Sequence, residues 1–368
     1  MSANSSLNIG IVGACGRGGS FRHACAALGV RVYAVCDINT EALEQARENL
    51  GADKAFADYE EMLADPNLDA VIVGTPMPLH VPMSIAALNA GKHVISEVPA
   101  AVSIEESREL VLAQKASDAV FMMAENYTYM YNNILVRSLA AKGAFGTPYY
   151  AEGEYIHELK GLNEVTTWRR KWQTGINGIT YGTHSLGPIL QWFGDDRVES
   201  VTCAGSGQRH IDPRGDAYEN EASCVMLCKM RGGGLVKIRV DMLSDRPHCM
   251  TNYSLQGTDG CYESARAHGE TNRIWLRQLG DVNKWTDIAT LDEELPDWYK
   301  EGRDLAKKAG HGGGDYFEIV DFVNAITGKA PCPIGIHEAM DMTLPGLVSQ
   351  QSILQGGAWL PVPDSREW

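Results

Sequence analysis

The chain is short of positive charge. Its 368 residues carry 32 Lys and Arg against 47 Asp and Glu, a formal net charge of −15. Such a balance repels phosphate backbones and anionic bilayers, so neither nucleic acid nor a membrane is expected as a main partner. No apolar run approaches the ~20 residues that a bilayer-spanning helix needs. The opening MSANSSLN has neither a basic n-region nor an apolar h-region, so no secretory signal is expected and the expected location is cytoplasmic. The nine cysteines are an odd number, scattered without a CxxC or a Cys/His ligand spacing. That argues against a disulfide framework and against a metal site, and it predicts reduced, mostly buried thiols. Internal repeats and low-complexity segments are also missing. What remains is a globular composition, 44% apolar, in a chain long enough for two domains.

The first 125 residues alternate in type. LNIGIVG (7–13), RVYAVCD (31–37), DAVIVGTP (69–76), HVISE (from 93) and AVFMMAEN (119–126) are short apolar runs that predict five buried strands. Helical patterns lie between them. NTEALEQARENLG has Ala42, Leu43, Ala46 and Leu50 on one face, with Asn39 or Thr40 to cap its start and Gly51 its end. SIEE (103–106) is a capping box, with Ser103 as N-cap and Glu106 three residues on. Strands alternating with helices imply right-handed βαβ units and a parallel, doubly wound sheet.

Beyond residue 126 the rhythm changes. One helix (about 131–141) precedes TPYYAEGEYIH, and then VESVTCAGS, ASCVMLCKM, LVKIRVDML, TNYSLQG and NRIWLRQL follow closely with turn residues between them. That pattern predicts a large, mostly antiparallel open sheet, with two late helices at 315–327 and roughly 337–355. The expected fold is therefore α/β: a Rossmann domain over 1–126 and an α/β substrate-binding and oligomerisation domain over 127–368, whose C-terminal segment has the option of packing back on the first. One sheet face is expected to carry helices and the other to meet a second copy, giving a homodimer or homotetramer.

GIVGACGRGGS follows the first strand and opens a helix. Gly13 and Gly18 fill the outer positions of a G-x-G-x-x-G fingerprint, and Cys15 replaces the middle glycine; Gly16 and Gly19 add local freedom. Asp37 ends the second strand 24 residues beyond Gly13, where a carboxylate accepts hydrogen bonds from an adenosine ribose and repels a 2′-phosphate. The expected cofactor is NAD. Ligands in such sheets sit outside the carboxyl ends of strands, which brings Thr75, Pro76 and His80 toward the nicotinamide half. His93 reads as structural.

With the glycine loop, Asp37, TP plus His80, GKHVISEVP, WRRKW (168–172) and YGTHSLGP (181–188) in hand, the chain resembles the Gfo/Idh/MocA oxidoreductase family along almost its whole length. That resemblance implies hydride transfer between a nicotinamide cofactor and a sugar or cyclitol. It implies cofactor contacts from Gly13, Cys15, Gly16, Arg17 and Gly18 of the loop, and from Glu97, Asn126, Trp168 and Arg169. The usual family chemistry uses a Lys after that Glu, and an Asp and a His in D-x-G-x-H. Here Val98 stands at the Lys position and Thr180 at the Asp position, and only His184 remains. Neither replacement titrates near neutral pH.

EVPA, ENYTY, YIH, WRRKW, YGTHSLGP and HGGGDY (311–316) are closest to one branch, glycoside hydrolase family 109. This resemblance implies bound NAD+ in a redox-neutral cycle: oxidation at C3 of the sugar ring, loss of the C2 proton, elimination of the aglycone, water addition and re-reduction. Tyr181 and His184 carry over as the acid/base pair, with His157, His311 and Asp315 lining the substrate site. Arg170 offers a guanidinium to an anionic substituent. Three plainer readings stay open: Asp315 as a helix cap, Trp168 and Trp172 as a core stripe, and Tyr181 as a packed aromatic. Two other functions also stay open, a conventional NAD-dependent sugar or cyclitol dehydrogenase and a non-catalytic NAD-binding sensor.

Overall fold

The computed structural model describes residues 7–212, 218–247 and 249–368. They form two compact units. The first comprises the chain up to Met130, with Glu301–Met340 and Ser365–Trp368; the second comprises Tyr131–Lys300 and Asp341–Asp364. Residues 301–340, assigned from sequence to the second domain, thus belong to the first unit. Among the described residues no helix is long and apolar enough to cross a membrane.

The first unit holds a six-stranded parallel sheet: β1 (Asn8–Val12), β2 (Arg31–Cys36), β3 (Lys54–Phe56), β4 (Ala70–Val73), β5 (His93–Ser96) and β6 (Phe121–Met123). Their order is β3-β2-β1-β4-β5-β6, the doubly wound arrangement, and it reverses between β1 and β4. β1, β4, β5 and β6 are apolar and buried along nearly their whole length, as strands covered on both faces must be. β3 was not foreseen. It is three residues long and mostly exposed at the sheet edge, so it has no apolar run to announce it.

The helix Thr40–Leu50 is capped as its sequence predicts. The Asn39 side chain accepts from the Ala42 amide, and Gly51 closes it at φ +63°. The capping box at Ser103 is only half formed. Its hydroxyl accepts from the Glu106 amide at 3.1 Å, but the Glu106 carboxylate accepts from the Val102 amide at 3.4 Å rather than from Ser103. The helix Gly314–Ile326 packs against the helix Arg22–Leu28 that opens from the glycine loop. Far along the sequence, it still completes the first unit.

The second unit is built on nine strands: β7 (Pro148–Ile156), β8 (Val198–Gly205), β9 (Cys224–Met230), β10 (Leu235–Asp241), β11 (Thr251–Gly257), β12 (Gly260–Glu263), β13 (Arg273–Leu276), β14 (Thr286–Asp287) and β15 (Leu360–Pro361). The order is β14-β13-β12-β11-β7-β10-β9-β8-β15. Every pairing is antiparallel except β7 with β10, which run parallel with Glu152 beside Lys237. Alternation sorts the two faces. Ala151, Gly153 and Tyr155 of β7, and Val236, Ile238 and Val240 of β10, are buried on the face that carries the helix Thr183–Trp192. The other face carries ion pairs: Glu152 with Lys237, Glu154 with Arg239 and Arg266, and Arg239 with Asp241.

The nine cysteines are free thiols, and five of them, Cys224 and Cys228 on one face of β9 included, are buried. The helix Thr167–Trp172 buries none of its residues, so Trp168 and Trp172 are not a core stripe.

Gly153 lets the helix Thr183–Trp192 lie directly on β7. A Cβ there would stand 2.3 Å from the Ser185 carbonyl oxygen, which is backbone and cannot swing away. Gly153→Ala is therefore expected to destabilise the protein by about 1–3 kcal/mol. Thermal unfolding should show a lower Tm, with Gly161→Ala, where the added carbon meets nothing within 4 Å, as the neutral control.

Candidate functional site

In the first unit, β1 delivers the chain to Gly13 at φ +78°. A Cβ on Gly13 would lie 2.6 Å from the Gly74 carbonyl oxygen, and one on Gly74 would lie 2.6 Å from the Gly18 Cα. The loop and the end of β4 thus meet backbone on backbone at the topological switch point, and no side chain fits between them. Cys15, at the place of the middle glycine, turns its amide to Asp37 Oδ2 at 2.9 Å, and the Asn39 amide donates to Asp37 Oδ1 at 2.9 Å. Asp37 is thereby held at the carboxyl end of β2 with lone pairs to spare for hydroxyl donors. Burial, and then the charge of Asp37, push the Cys15 thiol up to about 11, so it stays neutral. Thr75 Oγ1 is buried with no hydrogen-bond partner among the described residues, a polar atom left over at the carboxyl end of β4.

Arg17 is the hub of this half. Its Nε donates to Glu97 at 2.6 Å, and its two terminal nitrogens grip both oxygens of Asp315 at 2.8 and 3.0 Å. Its guanidinium carbon lies 4.6 Å from the centre of the Phe21 ring. Asn126 Nδ2 donates to Asp315 at 3.1 Å, and His311 Nδ1 faces the same oxygen at 2.8 Å. Burial alone would raise the Asp315 carboxyl, but the His311 and Arg17 hydrogen bonds hold it well below the usual carboxylate range. Asp315 is not a helix cap, since Gly313 occupies that position. Nor is it a surface group: its side chain has no exposed surface. In this structure Asp315, expected to line the substrate site, holds Arg17 of the glycine loop. His311, at φ +52°, is half-buried beside it.

His80 also differs from expectation. Its ring nitrogens face the Pro99 and Thr75 carbonyls at 2.8 and 2.9 Å, and burial lowers its pKa. It braces the Thr75–Pro76 turn: as a neutral ring it donates to one of these two carbonyls. His93 accepts from the Val120 amide, a structural role as read from sequence. Val98, at the lysine position, is buried in the core beside the cis Val98–Pro99 bond.

In the second unit an aromatic group forms where β7 ends against the start of the helix Thr183–Trp192. The rings of Tyr181 and His184 are 5.3 Å apart, edge to face. Tyr155 lies 5.6 Å from Tyr181, 5.4 Å from His184 and 5.8 Å from His157. Tyr253 of β11 donates its hydroxyl to the His184 carbonyl and so fixes the backbone at that point. The sequence reading missed Tyr155 and Tyr253. The available signal was strand alternation, which places Tyr155 on the same face as His157. Thr180, at the family's Asp position, is buried, and its hydroxyl lacks a partner among the described residues.

The WRRKW helix divides its cations. Arg170 is paired with Asp212 and lies 5.0 Å from the Tyr218 ring centre, so its charge is already met. Arg169 stacks on Trp168 at 4.5 Å and donates to Gln173 Oε1, but its buried Nε has no partner among the described residues. Arg170, Lys171, Trp172, Thr174 and Tyr218 wall a cavity of about 650 Å³ in this unit.

The profile described as the glycosyl hydrolase 109 C-terminal domain matches residues 129–367, and that of the oxidoreductase family NAD-binding Rossmann fold matches residues 7–125. The chain belongs to glycosyl hydrolase family 109. A relative named glycosyl hydrolase family 109 protein, from Saccharopolyspora erythraea, is 29% identical, with 98% of this chain and 84% of the relative covered. Another, from Shewanella oneidensis, is named alpha-N-acetylgalactosaminidase and is 27% identical over 97% of this chain and 84% of its own length. In fold the family 109 protein is similar to levoglucosan dehydrogenase solved with NADH and L-sorbose (TM-score 0.82, 20% identity, 98% and 100% covered). It is also similar to the WlbA dehydrogenase from Bordetella pertussis in complex with NADH and UDP-GlcNAcA (TM-score 0.79, 22% identity, 99% of each chain covered).

The family 109 protein is an enzyme that binds NAD, and its first unit fits that cofactor: a glycine-lined loop, the anchored Asp37 and the unpartnered Thr75 hydroxyl. Replacing Asp37 with Ala removes the acceptor for two loop amides and for a ribose. The Kd for NAD, measured by titration calorimetry, is expected to rise at least tenfold, about 1.4 kcal/mol, while NADP loses less. Asp315 has its pKa lowered on folding, so it stabilises fully above the ordinary carboxylate pKa, and that contribution is lost as pH falls through the lowered value. The Tm of the wild-type protein should drop steeply below about pH 4. Asp315→Asn should start lower at pH 7 and show a shallower acid limb.

Proposed function

We propose that this family 109 protein cleaves a glycoside by a redox-neutral route in which Tyr181 and His184 handle the protons. Bound NAD supplies reversible acceptance of a hydride from a sugar ring carbon. The ketone so formed acidifies the C–H beside it, and the Tyr181/His184 pair removes that proton and returns one to the departing aglycone oxygen. Water adds to the resulting enone, and reduction of the ketone restores the ring. The sum is glycoside plus water giving sugar plus aglycone, with no net change in the cofactor.

The observation that carries this reading is the Tyr181–His184 pair itself. Two titratable rings sit 5.3 Å apart, while the positions of the dehydrogenase Lys and Asp are filled by Val98 and Thr180, both buried. Tyr155 and His157 complete the aromatic wall, and the roles of His157 and His311 toward substrate belong to this reading. Arg169, with its unmet Nε, is the better candidate of the helix's two arginines for a ligand's oxygen atoms, since Arg170 is taken by Asp212. The substrate is a small sugar or glycoside. The 650 Å³ cavity walled by Arg170, Lys171, Trp172, Tyr218 and Glu219 is lined by none of Tyr155, His157, Tyr181 and His184, so the reading rests on the aromatic group and not on that cavity. Assembly as a homodimer or homotetramer and a cytoplasmic location are part of the same reading. The free thiols support the location.

The test uses purified enzyme with p-nitrophenyl glycosides, α-N-acetylgalactosaminide among them, and with the matching free sugars. Aglycone should appear without net NADH, and in D₂O deuterium should enter the carbon next to the oxidised one. Tyr181→Phe and His184→Ala should each lower kcat at least a hundredfold while leaving the Kd for NAD within about twofold. Net NADH from free sugar would assign a conventional dehydrogenase instead. NAD binding with neither reaction would assign a sensor.

A further inference from the structure

Behind Arg17 lies an acid that the proposed chemistry does not use. Glu318 sits one turn beyond Asp315 on the helix Gly314–Ile326. It has no exposed surface, and both carboxylate oxygens lack a hydrogen-bond partner among the described residues. An ionised carboxylate cannot be sustained without donors in such a place. The charges around it point the same way. Asp315 on its own helix, Glu97 from the turn after β5 and Glu125 from the turn after β6 all press on it, and only Arg17 from the glycine loop attracts it. Arg17 is already committed to Glu97 and Asp315, and His311 to Asp315. With Glu125 a further acid nearby, no cation is left to offset a charge on Glu318, which therefore keeps its proton.

We propose that Glu318 is a positioning residue of the dinucleotide site: carrying the cluster's spare proton, it leaves Arg17 wholly to Glu97 and Asp315 and so holds the glycine loop and the turn after β5 in their NAD-binding arrangement. Loss of that proton places a new negative charge behind Arg17. It draws the guanidinium from Glu97 and repels Glu97 and Asp315 directly. The inference rests on the reading that the loop and Glu97 contact NAD, and it makes NAD affinity proton-linked through a residue that does not touch the cofactor.

Two readouts separate the parts. Burial and the neighbouring acids raise the Glu318 pKa well above its ordinary value, so wild-type stability falls as pH rises from about 4 toward the raised value, because only the unfolded chain releases this proton there. Glu318→Gln, which keeps the shape of the neutral acid, should be more stable than wild type at pH 7. Its Tm advantage should grow from pH 5 upward. At pH 6.5 wild type, Glu318→Gln and Glu318→Met should bind NAD within twofold of one another. Between pH 6.5 and 9.5 the wild-type Kd for NAD should rise about tenfold, and that of both neutral variants less than twofold. Parallel Tm curves for wild type and Glu318→Gln would overturn the buried neutral acid. Diverging Tm curves with a constant ratio of Kd values would overturn the link to the cofactor, and would do so without touching the assignment of Tyr181 and His184, which aglycone release tests. A loss of NAD binding in Glu318→Met but not Glu318→Gln at pH 6.5 would show a hydrogen bond rather than charge balance, and would likewise overturn the proposal.

Discussion

Arg17 joins three parts of the first unit that are remote in sequence. It belongs to the glycine loop, it holds Glu97 at the end of β5, and it grips Asp315 on a helix nearly 300 residues later. Its own burial penalises the cation, and the two carboxylates more than offset that penalty, leaving the charge firmly on the guanidinium. A partly buried, bidentate arginine of this kind is costly to break, because removing Arg17 strands the fully buried Asp315 carboxylate without its cation. The loop that receives the dinucleotide is therefore no free hairpin; its shape is tied to β5 and to the late helix. The unusual glycine pattern becomes intelligible here. Cys15 can replace a glycine because its amide is turned to Asp37, and the close approaches fall on Gly13, Gly18 and Gly74 instead.

The second unit solves a different problem. The Tyr181 and His184 rings are held at a fixed separation, and the sheet supplies it. β7 presents Tyr155 and leads directly into His157, Gly153 removes a side chain so that the helix bearing His184 can settle on the strand, and Tyr253 pins the His184 carbonyl in that helix's first turn. Each of the three is a packing or hydrogen-bonding decision made by a different strand position. None of them involves a charged partner, which separates this site from the ionic one around Arg17. Loss of the dehydrogenase lysine leaves no gap, because Val98 fills its position as an ordinary core residue.

Membership of family 109 and the dehydrogenase fold are compatible in physical terms. A parallel sheet with its ligand site at the switch point binds the same dinucleotide whatever the downstream chemistry. What distinguishes net oxidation from redox-neutral cleavage is whether the sugar's neighbouring proton and its aglycone can be managed before the hydride returns. That is a matter of a few side chains; in the proposed route they are Tyr181, His184 and their aromatic neighbours.

Local pattern alone determined much of this protein. Apolar runs between capped helices specified the doubly wound sheet, glycine spacing and Asp37 specified a dinucleotide loop, and the order of short motifs specified the family. These are properties of neighbouring residues, and neighbours in sequence are neighbours in space. The sequence did not reveal β3 or β12, too short to carry a period, or the parallel pairing of β7 with β10, which depends on strands some 80 residues apart. Nor did it reveal that His80 lies between the Pro99 and Thr75 carbonyls, that Arg170 is consumed by Asp212, or that Asp315 and Glu318 belong behind the glycine loop. Those are questions of which distant group fills a hydrogen bond or balances a charge. Only the folded chain, by bringing the helix Gly314–Ile326 back to the first sheet, decides them.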